Sequence, residues 1–173
     1  MKKHLLALIL AALSATAFAE RPSLDEMAVR LGVRDWFVLH STSADPLTIN
    51  RLKTIYRADF AFTAPMSGGA AQGLKAYAAV WQPLAEKVQT LEAKLDDTLK
   101  VAMNGATART TFTFRPEGTY KDGRPLTCQT RVALTWERRD GQWQIVREDL
   151  VPLDAPMVTM NGATVTTAAE PGK

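Results

Sequence analysis

Cysteine is almost absent. One occurs in 173 residues, Cys128, so no disulfide can close within the chain and its stability must come from packing. Cys128 shares an alternating face with apolar residues, which reads as a buried, inert thiol. Histidine is nearly as scarce, with only His4 and His40. A metal centre needs clustered His, Cys, Asp or Glu; the sequence offers no such cluster, and no metal is expected. Nucleophilic catalysis also lacks its parts: there is no G-x-S-x-G, and the lone cysteine has no evident histidine partner. Ser67-Gly68-Gly69 has neither the lysine nor the strand-to-helix context of a phosphate loop. No cofactor is implied. Basic residues form no block: Arg131, Arg138, Arg139 and Arg147 are interleaved with Glu137, Asp140, Glu148 and Asp149, a solvated mixed-charge surface that argues against nucleic acid.

Apolar runs are short as well. Leu5 to Leu13 is the longest, nine residues, too few to span a bilayer as a helix. It follows Lys2-Lys3-His4 and precedes Ala17-Phe18-Ala19, a small-x-small pattern before Glu20. Basic start, apolar run and cleavage pattern together read as a removable export signal over residues 1–19. The expected location is therefore the periplasm or the outside of the cell, with no membrane contact after cleavage. No cysteine follows the cleavage point, which argues against a lipid anchor. The signal holds two lysines and no acid, so 19 basic and 18 acidic side chains remain, and the basic balance of the full chain owes much to it. The remaining 154 residues suffice for one domain with a real core, expected over 20–152, followed by a tail over 153–173. The tail is light in large apolar residues and reads as a poorly ordered end or a small hairpin at Asn161-Gly162.

Periodicity places the elements. Ser23 with Glu26 three residues on is a capping-box start, and Leu24, Met27, Leu31 and Phe37 make a broken helical stripe to Leu39. Asp45-Pro46 starts a second helix, expected to run to about Ala58 with Ile49, Leu52, Ile55 and Tyr56 inward. Asp59 to Thr63 alternates as a short strand. Gly73 to Lys87 is a third helix with Leu74, Tyr77, Trp81, Leu84 and Val88 on one stripe and Pro83 inside it, expected to kink the helix or end its first half. Thr90 to Met103 has strand periodicity and leads into Asn104-Gly105, a strong hairpin signal. Thr107 to Arg115 is the clearest strand, and the loop from Pro116 to Arg124 promises another hairpin. Leu126 to Pro152 then reads as two long strands about Asp140-Gly141. On the first, Leu126, Cys128, Thr130, Val132, Leu134 and Trp136 share a face; on the second, Trp143, Ile145, Arg147, Asp149 and Val151 do. Helices grouped before an antiparallel sheet make an α+β architecture.

Three segments carry a family resemblance. Tyr56-Arg57-Ala58-Asp59-Phe60-Ala61-Phe62 resembles a "Y-x-x-D-F-x-F" segment, Gly73 followed by Trp81 resembles a "G…W" helix, and Trp136 to Val146 resembles a closing "W-x-R-x-D-G-x-W-x-I-V" hairpin. In this order and spacing they are similar to SnoaL-like proteins of the nuclear transport factor 2-like superfamily, over roughly Ser23 to Pro152. The resemblance implies three N-terminal helices packed in the concave face of a strongly curved, mostly antiparallel sheet, a cone with an open mouth. It also implies a habit of pairing through the sheet, hence a homodimer. One branch, the ketosteroid isomerases, would place a carboxylate base just before Pro65; Ala64 stands there, so that activity is rejected. Other members carry histidines and a serine after the final motif; Arg147, Asp149 and Val151 stand in those places here.

A concave, aromatic-lined space is the default ligand site. Trp36, Tyr56, Phe60, Trp81, Phe112 and Phe114 are the expected lining, with Arg147 as an anchor should the ligand bear a carboxylate. Asp149 and Asp59 are the acid/base candidates. Arg147 beside Asp149 would make that carboxylate a weaker base at neutral pH, which favours an ion pair over catalysis. The preferred reading is an exported small-molecule-binding protein without turnover. The alternatives are an isomerase, dehydratase or cyclase working through Asp149 or Asp59, and a dimeric interaction protein pairing through its sheet.

Overall fold

In a computed structural model of the chain, residues 22–41 and 49–153 are described. The expected export signal, the helix start at Asp45-Pro46 and the tail beyond Leu153 lie outside the described residues.

The first helix, α1 (Leu24–Ser41), is capped by Ser23, whose Oγ accepts from the Glu26 N–H at 3.0 Å. Its buried face is Val29, Val33, Trp36, Phe37 and His40. The expected stripe is corrected here: Leu24, Met27 and Leu31 are 85, 49 and 54% exposed. Residues two apart on a helix point nearly opposite ways, so burying Val33 leaves Leu31 outside. The choice between the faces follows the aromatic volume of Trp36 and Phe37 and the close approach at Gly32. A Cβ built there would sit 2.7 and 2.8 Å from two ring carbons of Trp136, so only glycine lets the helix lie on that indole.

A short helix, α2 (Ile49–Leu52), follows, and the chain turns into strand β1 (Tyr56–Ala64). The second helix therefore ends well before Ala58, and the strand is longer than expected at both ends. After a 3-10 turn (Pro65–Ser67) comes β2 (Gly69–Gln72), then α3 (Leu74–Lys87), which continues past Pro83. The remaining strands are β3 (Val88–Glu92), β4 (Lys100–Asn104), β5 (Thr107–Phe114), β6 (Glu117–Tyr120), β7 (Pro125–Thr127), β8 (Thr130–Arg139) and β9 (Gln142–Pro152). The single strand expected over Thr90–Met103 is thus two strands separated by residues 93–99, and the long strand from Leu126 breaks at Cys128 and Gln129.

Six strands form a curved sheet in the order β2-β1-β9-β8-β5-β4. All its pairs are antiparallel except β1 with β9, which are parallel. Strands β3, β6 and β7 form a second, three-stranded sheet. The helices cover the concave face, giving the α+β cone expected from the sequence. The hairpins at Gly105 and at Asp140-Gly141 form as expected; in the latter both residues take positive φ, 51° and 77°, the geometry a two-residue β-turn needs.

Apolar alternation builds the inner face: Phe60, Phe62 and Ala64 on β1, Ala108, Phe112 and Phe114 on β5, Val132, Leu134 and Trp136 on β8. Two buried hydroxyls sit among them, and Thr110 Oγ accepts from Trp136 Nε1 at 3.0 Å. Cys128 is half-buried rather than buried.

One irregularity decides what enters the cone. Thr135 pairs with Arg147 and the next residue, Trp136, with Ile145, so Val146 is an extra residue on β9. Such a bulge inverts the alternation beyond it. Ile145 faces inward before it, and Glu148 and Leu150 face inward after it. The expected shared face of Ile145, Arg147, Asp149 and Val151 is corrected accordingly: Arg147 and Val151 are exposed.

Candidate functional site

Glu148 is fully buried, 0% exposed, in a cross-strand row with Phe62 and Leu134. Three other elements bring polar groups to it or to its neighbours. From α1, Trp36 Nε1 donates to Oε2 at 2.9 Å. From β1, the Tyr56 hydroxyl donates to the same oxygen. From α3, the Tyr77 hydroxyl is 2.7 Å from Oε1 and 3.1 Å from the Tyr56 hydroxyl. His40 stands one helical turn after Trp36, stacked on its indole with ring centroids 4.0 Å apart. Its Nε2 is 2.6 Å from the Tyr77 hydroxyl and its Nδ1 is 2.7 Å from the Trp36 carbonyl oxygen. The result is a continuous buried chain, Glu148 to Tyr77 to His40.

Burial governs the ionisation of all four groups. Desolvation raises the Glu148 pKa, against the hydrogen bonds from Tyr56, Trp36 and Tyr77 that favour the charged form. It lowers that of His40 to about 4, with the charge of Arg51 pushing the same way. Tyr56 and Tyr77 are raised, chiefly by burial and then by the carboxylate beside them.

Trp81 lies one turn beyond Tyr77, half-buried, its ring 5.8 Å from that of His40 and 6.1 Å from that of Tyr77. Its Nε1 is buried without a hydrogen-bond partner, although it lies near enough to the Tyr77 hydroxyl to act on that phenol's pKa. A buried donor without an acceptor calls for an explanation.

The structure brings together five of the expected lining residues, all buried. Trp36 and Tyr56 are members of the polar chain. Phe60 packs on Tyr56 with centroids 4.5 Å apart, and Phe112 and Phe114 pack edge-on against Trp36 at 5.2 and 5.1 Å. Trp81 is the sixth, at their margin. The charged candidates stand apart from this cluster. Arg147 donates twice to Asp149, at 2.9 and 2.8 Å, on the outer side of the sheet. Asp59 is exposed and pairs with Arg57 at 2.5 Å, which holds its carboxyl below the usual range. Glu148, Tyr77 and His40 were not singled out from the sequence as site residues. For His40 a signal existed, since it stands four residues after Trp36 on the same helical face. For Glu148 the signal is the bulge.

Among the described residues no group of three or more His, Cys, Asp or Glu side chains could hold a metal ion, and no helix is long and apolar enough to cross a membrane.

No curated protein matches the sequence. Solved structures do. A candidate scytalone dehydratase from Novosphingobium aromaticivorans aligns with TM-score 0.66 at 15% identity, over 85% of this chain and 96% of its own. A nuclear transport factor 2-like superfamily protein from Salmonella enterica aligns with TM-score 0.61 at 16% identity, over 79% and 94%. The CaMKII hub of S. rosetta aligns with TM-score 0.58 at 18% identity, over 76% and 99%. At such identities these similarities establish the fold alone. The sequence goes further: residues 33–146, which carry Trp36, His40, Tyr56, Tyr77 and the closing hairpin, match the SnoaL-like domain, and the chain belongs to that family.

Proposed function

We propose that the chain is an exported protein that takes a small molecule into its cone and binds it without turnover. The observation that carries this reading is the donor of Trp81: its N–H is buried beside His40 and makes no hydrogen bond of good geometry, its nearest acceptor being the Tyr77 hydroxyl, which Tyr56 and Glu148 already engage. A ligand oxygen would complete that site, with the ligand's apolar part against the aromatic rings. Binding without turnover is supported by the way the acid/base groups are engaged. Both nitrogens of His40 are within hydrogen bonds, and Glu148 Oε2 already accepts two donors. A general base needs a lone pair within reach of the proton it removes. Asp149 and Asp59, each paired to an arginine outside the cluster, are less suited still. Export rests on the pattern of residues 1–19. Pairing of two copies through the polar outer face of the sheet, where Thr113, Arg131, Thr135 and Arg147 lie, completes the proposal; that a CaMKII hub shares the fold supports it.

Expression of the full chain with its N-terminus intact, followed by fractionation and native mass spectrometry, tests the reading. The expected result is a protein shortened by the export signal, found outside the cytoplasm, carrying extra mass that dissociates as a small molecule. Trp81→Phe should lose that mass while remaining folded. A protein free of small molecules that also fails to bind any member of a library of small aromatic ketones and alcohols would sink the ligand reading. Light scattering showing only monomer at high concentration would sink the pairing.

A further inference from the structure

Counting protons in the buried chain fixes its charge. Six contacts of hydrogen-bond length run through it. Five are 2.9 Å or shorter: Trp36 Nε1 to Glu148 Oε2, Tyr56 to Oε2, Tyr77 to Oε1, Tyr77 to His40 Nε2, and His40 Nδ1 to the Trp36 carbonyl. The sixth and longest, Tyr56 to Tyr77 at 3.1 Å, carries no proton, because the Tyr56 hydroxyl proton lies on the shorter contact to Oε2. Each of the five shorter contacts needs one proton. A carbonyl oxygen only accepts, so Nδ1 carries a proton. If His40 is neutral, Nε2 then accepts, and the Tyr77 hydroxyl must donate to it. Tyr77 has no second proton for Glu148 Oε1. The indole and the Tyr56 hydroxyl are already spent on Oε2. An ionised Glu148 with a neutral His40 thus supplies four protons for five contacts and leaves two oxygens facing each other at 2.7 Å with nothing between them. One more proton is required, on Oε1 or on the imidazole. Either way the cluster is neutral overall.

The two neutral arrangements differ in charge separation. An imidazolium with a carboxylate would place two opposite charges in the core with Tyr77 between them; a carboxylic acid with an imidazole places none. Separated charges in a buried site cost far more than the Trp36 ring can return by stacking on a cation. Every charged neighbour pushes the same way: Arg51 of α2 opposes a positive His40, and Asp149 on β9 opposes a negative Glu148. The other titratable groups facing the chain, Tyr56 on β1 and Tyr77 on α3, stay protonated.

We propose that Glu148 is an uncharged carboxylic acid that donates through Oε1 to Tyr77, which donates to His40, so that the polar floor of the cone is neutral and its ligand is an uncharged oxygen-bearing molecule rather than a carboxylate. The ligand half rests on the binding reading above; the charge half does not. It also removes Arg147 as an anchor inside the cone, since that guanidinium is engaged by Asp149 on the other face.

Two measurements on the whole chain test it separately. In a His4→Asn variant, His40 is the sole imidazole. Its ring nitrogens, read by ¹⁵N NMR at neutral pH, should show a neutral ring protonated at Nδ1. The infrared spectrum should show a protonated-carboxyl carbonyl band that vanishes in Glu148→Gln. A cationic ring, or a ring protonated at Nε2, overturns the charge state even if Glu148→Gln fails to fold. In the second, 2-acetylnaphthalene and 2-naphthoate are titrated against the ¹⁵N-labelled indoles. The neutral ketone should move the Trp81 Nε1–H resonance at concentrations at least tenfold below the carboxylate. Equal or tighter carboxylate binding overturns the ligand class while the imidazole result still stands or falls alone. If neither probe moves that resonance, the ligand half is overturned with the binding reading beneath it.

Discussion

Replacing Glu148 by alanine removes the carboxyl group on which three elements converge. Trp36 Nε1 loses its only partner, and the Tyr56 and Tyr77 hydroxyls lose theirs at the carboxylate. Tyr77 can still donate to His40, and Tyr56 can turn to Tyr77 at 3.1 Å, so the indole is stranded outright and the phenols in part. A buried donor left without an acceptor costs about 1–3 kcal/mol. One full and one partial loss, with the small void left by the side chain, come to roughly 3–5 kcal/mol. That is a large share of the ~5–15 kcal/mol that holds a domain folded. Glutamine should behave differently. Its carbonyl can take the place of Oε2 beneath Trp36 and Tyr56, and its NH₂ can donate to Tyr77 as the acid does. If Glu148 is uncharged, the exchange is close to isosteric and costs about 1 kcal/mol or less. If it is ionised, glutamine forfeits charge-assisted hydrogen bonds, worth roughly twice as much as neutral ones. Urea unfolding at pH 7, followed by tryptophan fluorescence and by far-ultraviolet circular dichroism, reads both variants, with an unchanged m-value as the check on the two-state assumption. An alanine variant within about 1 kcal/mol of the wild type would refute the convergence argument. A glutamine variant as unstable as alanine would refute the uncharged acid.

Other expectations follow from the same geometry. His40 has a folded pKa of about 4 against an ordinary 6.5, so the unfolded chain takes up a proton first as pH falls; its contribution is complete above 6.5 and lost on the way down to 4. Glu148, raised in the folded state, acts in the opposite sense, its contribution lost as pH rises above its ordinary 4.5. In Glu148→Gln the histidine effect therefore stands alone: that variant should lose about 3 kcal/mol between pH 6.5 and 4, and the double variant with His40→Gln should not, by urea midpoints across that range. Gly32→Ala would normally favour a helix by ~1 kcal/mol, but the new Cβ meets the Trp136 ring, which Thr110 holds in place. A net loss of about 1–3 kcal/mol in thermal or urea unfolding is expected, and a stabilised variant would show that α1 does not lie on that indole. Arg147→Ala should change stability by no more than about 1 kcal/mol, because the pair with Asp149 is half-exposed; a loss well above this, or a displaced Trp81 resonance, would place Arg147 in the cone after all.

Much of the fold is written in the pattern of the chain. The hairpins at Asn104-Gly105 and Asp140-Gly141 follow from turn chemistry, and the inner faces of β5 and β8 follow from strict alternation of Phe112 and Phe114 with threonines and of Val132, Leu134 and Trp136 with polar residues. The third helix keeps its stripe from Leu74 through Tyr77 to Trp81. Where two faces compete, pattern alone does not decide. On α1 both Leu24-Met27-Leu31 and Val29-Val33-Trp36 are apolar, and the buried choice is set by Gly32 meeting Trp136, a contact between residues more than a hundred positions apart. The parallel partnership of β1 with β9 is likewise a long-range fact, and it is what seats Tyr56 against the last strand.

The polar chain was hidden by a single residue. The run Ile145-Val146-Arg147-Glu148-Asp149-Leu150-Val151 forces at least one charged side chain inward under either unbroken alternation. Counting from Ile145 buries two, Arg147 and Asp149, and leaves Leu150 outside. Counting from Leu150 buries one, Glu148, but turns Ile145 out. A bulge at Val146 lets Ile145 and Leu150 both face the core with only Glu148 between them. That arrangement buries the most apolar surface for the fewest ionisable groups, and the one group it does bury meets an indole and two phenols on other elements. The sequence held a usable hint: an apolar pair, Leu150-Val151, next to a charged triplet marks a strand whose alternation cannot be satisfied without a break. The three polar groups that converge on Glu148 then decide where the break falls, because no other residue of the triplet could occupy that position uncharged with a carboxyl long enough to reach all of them.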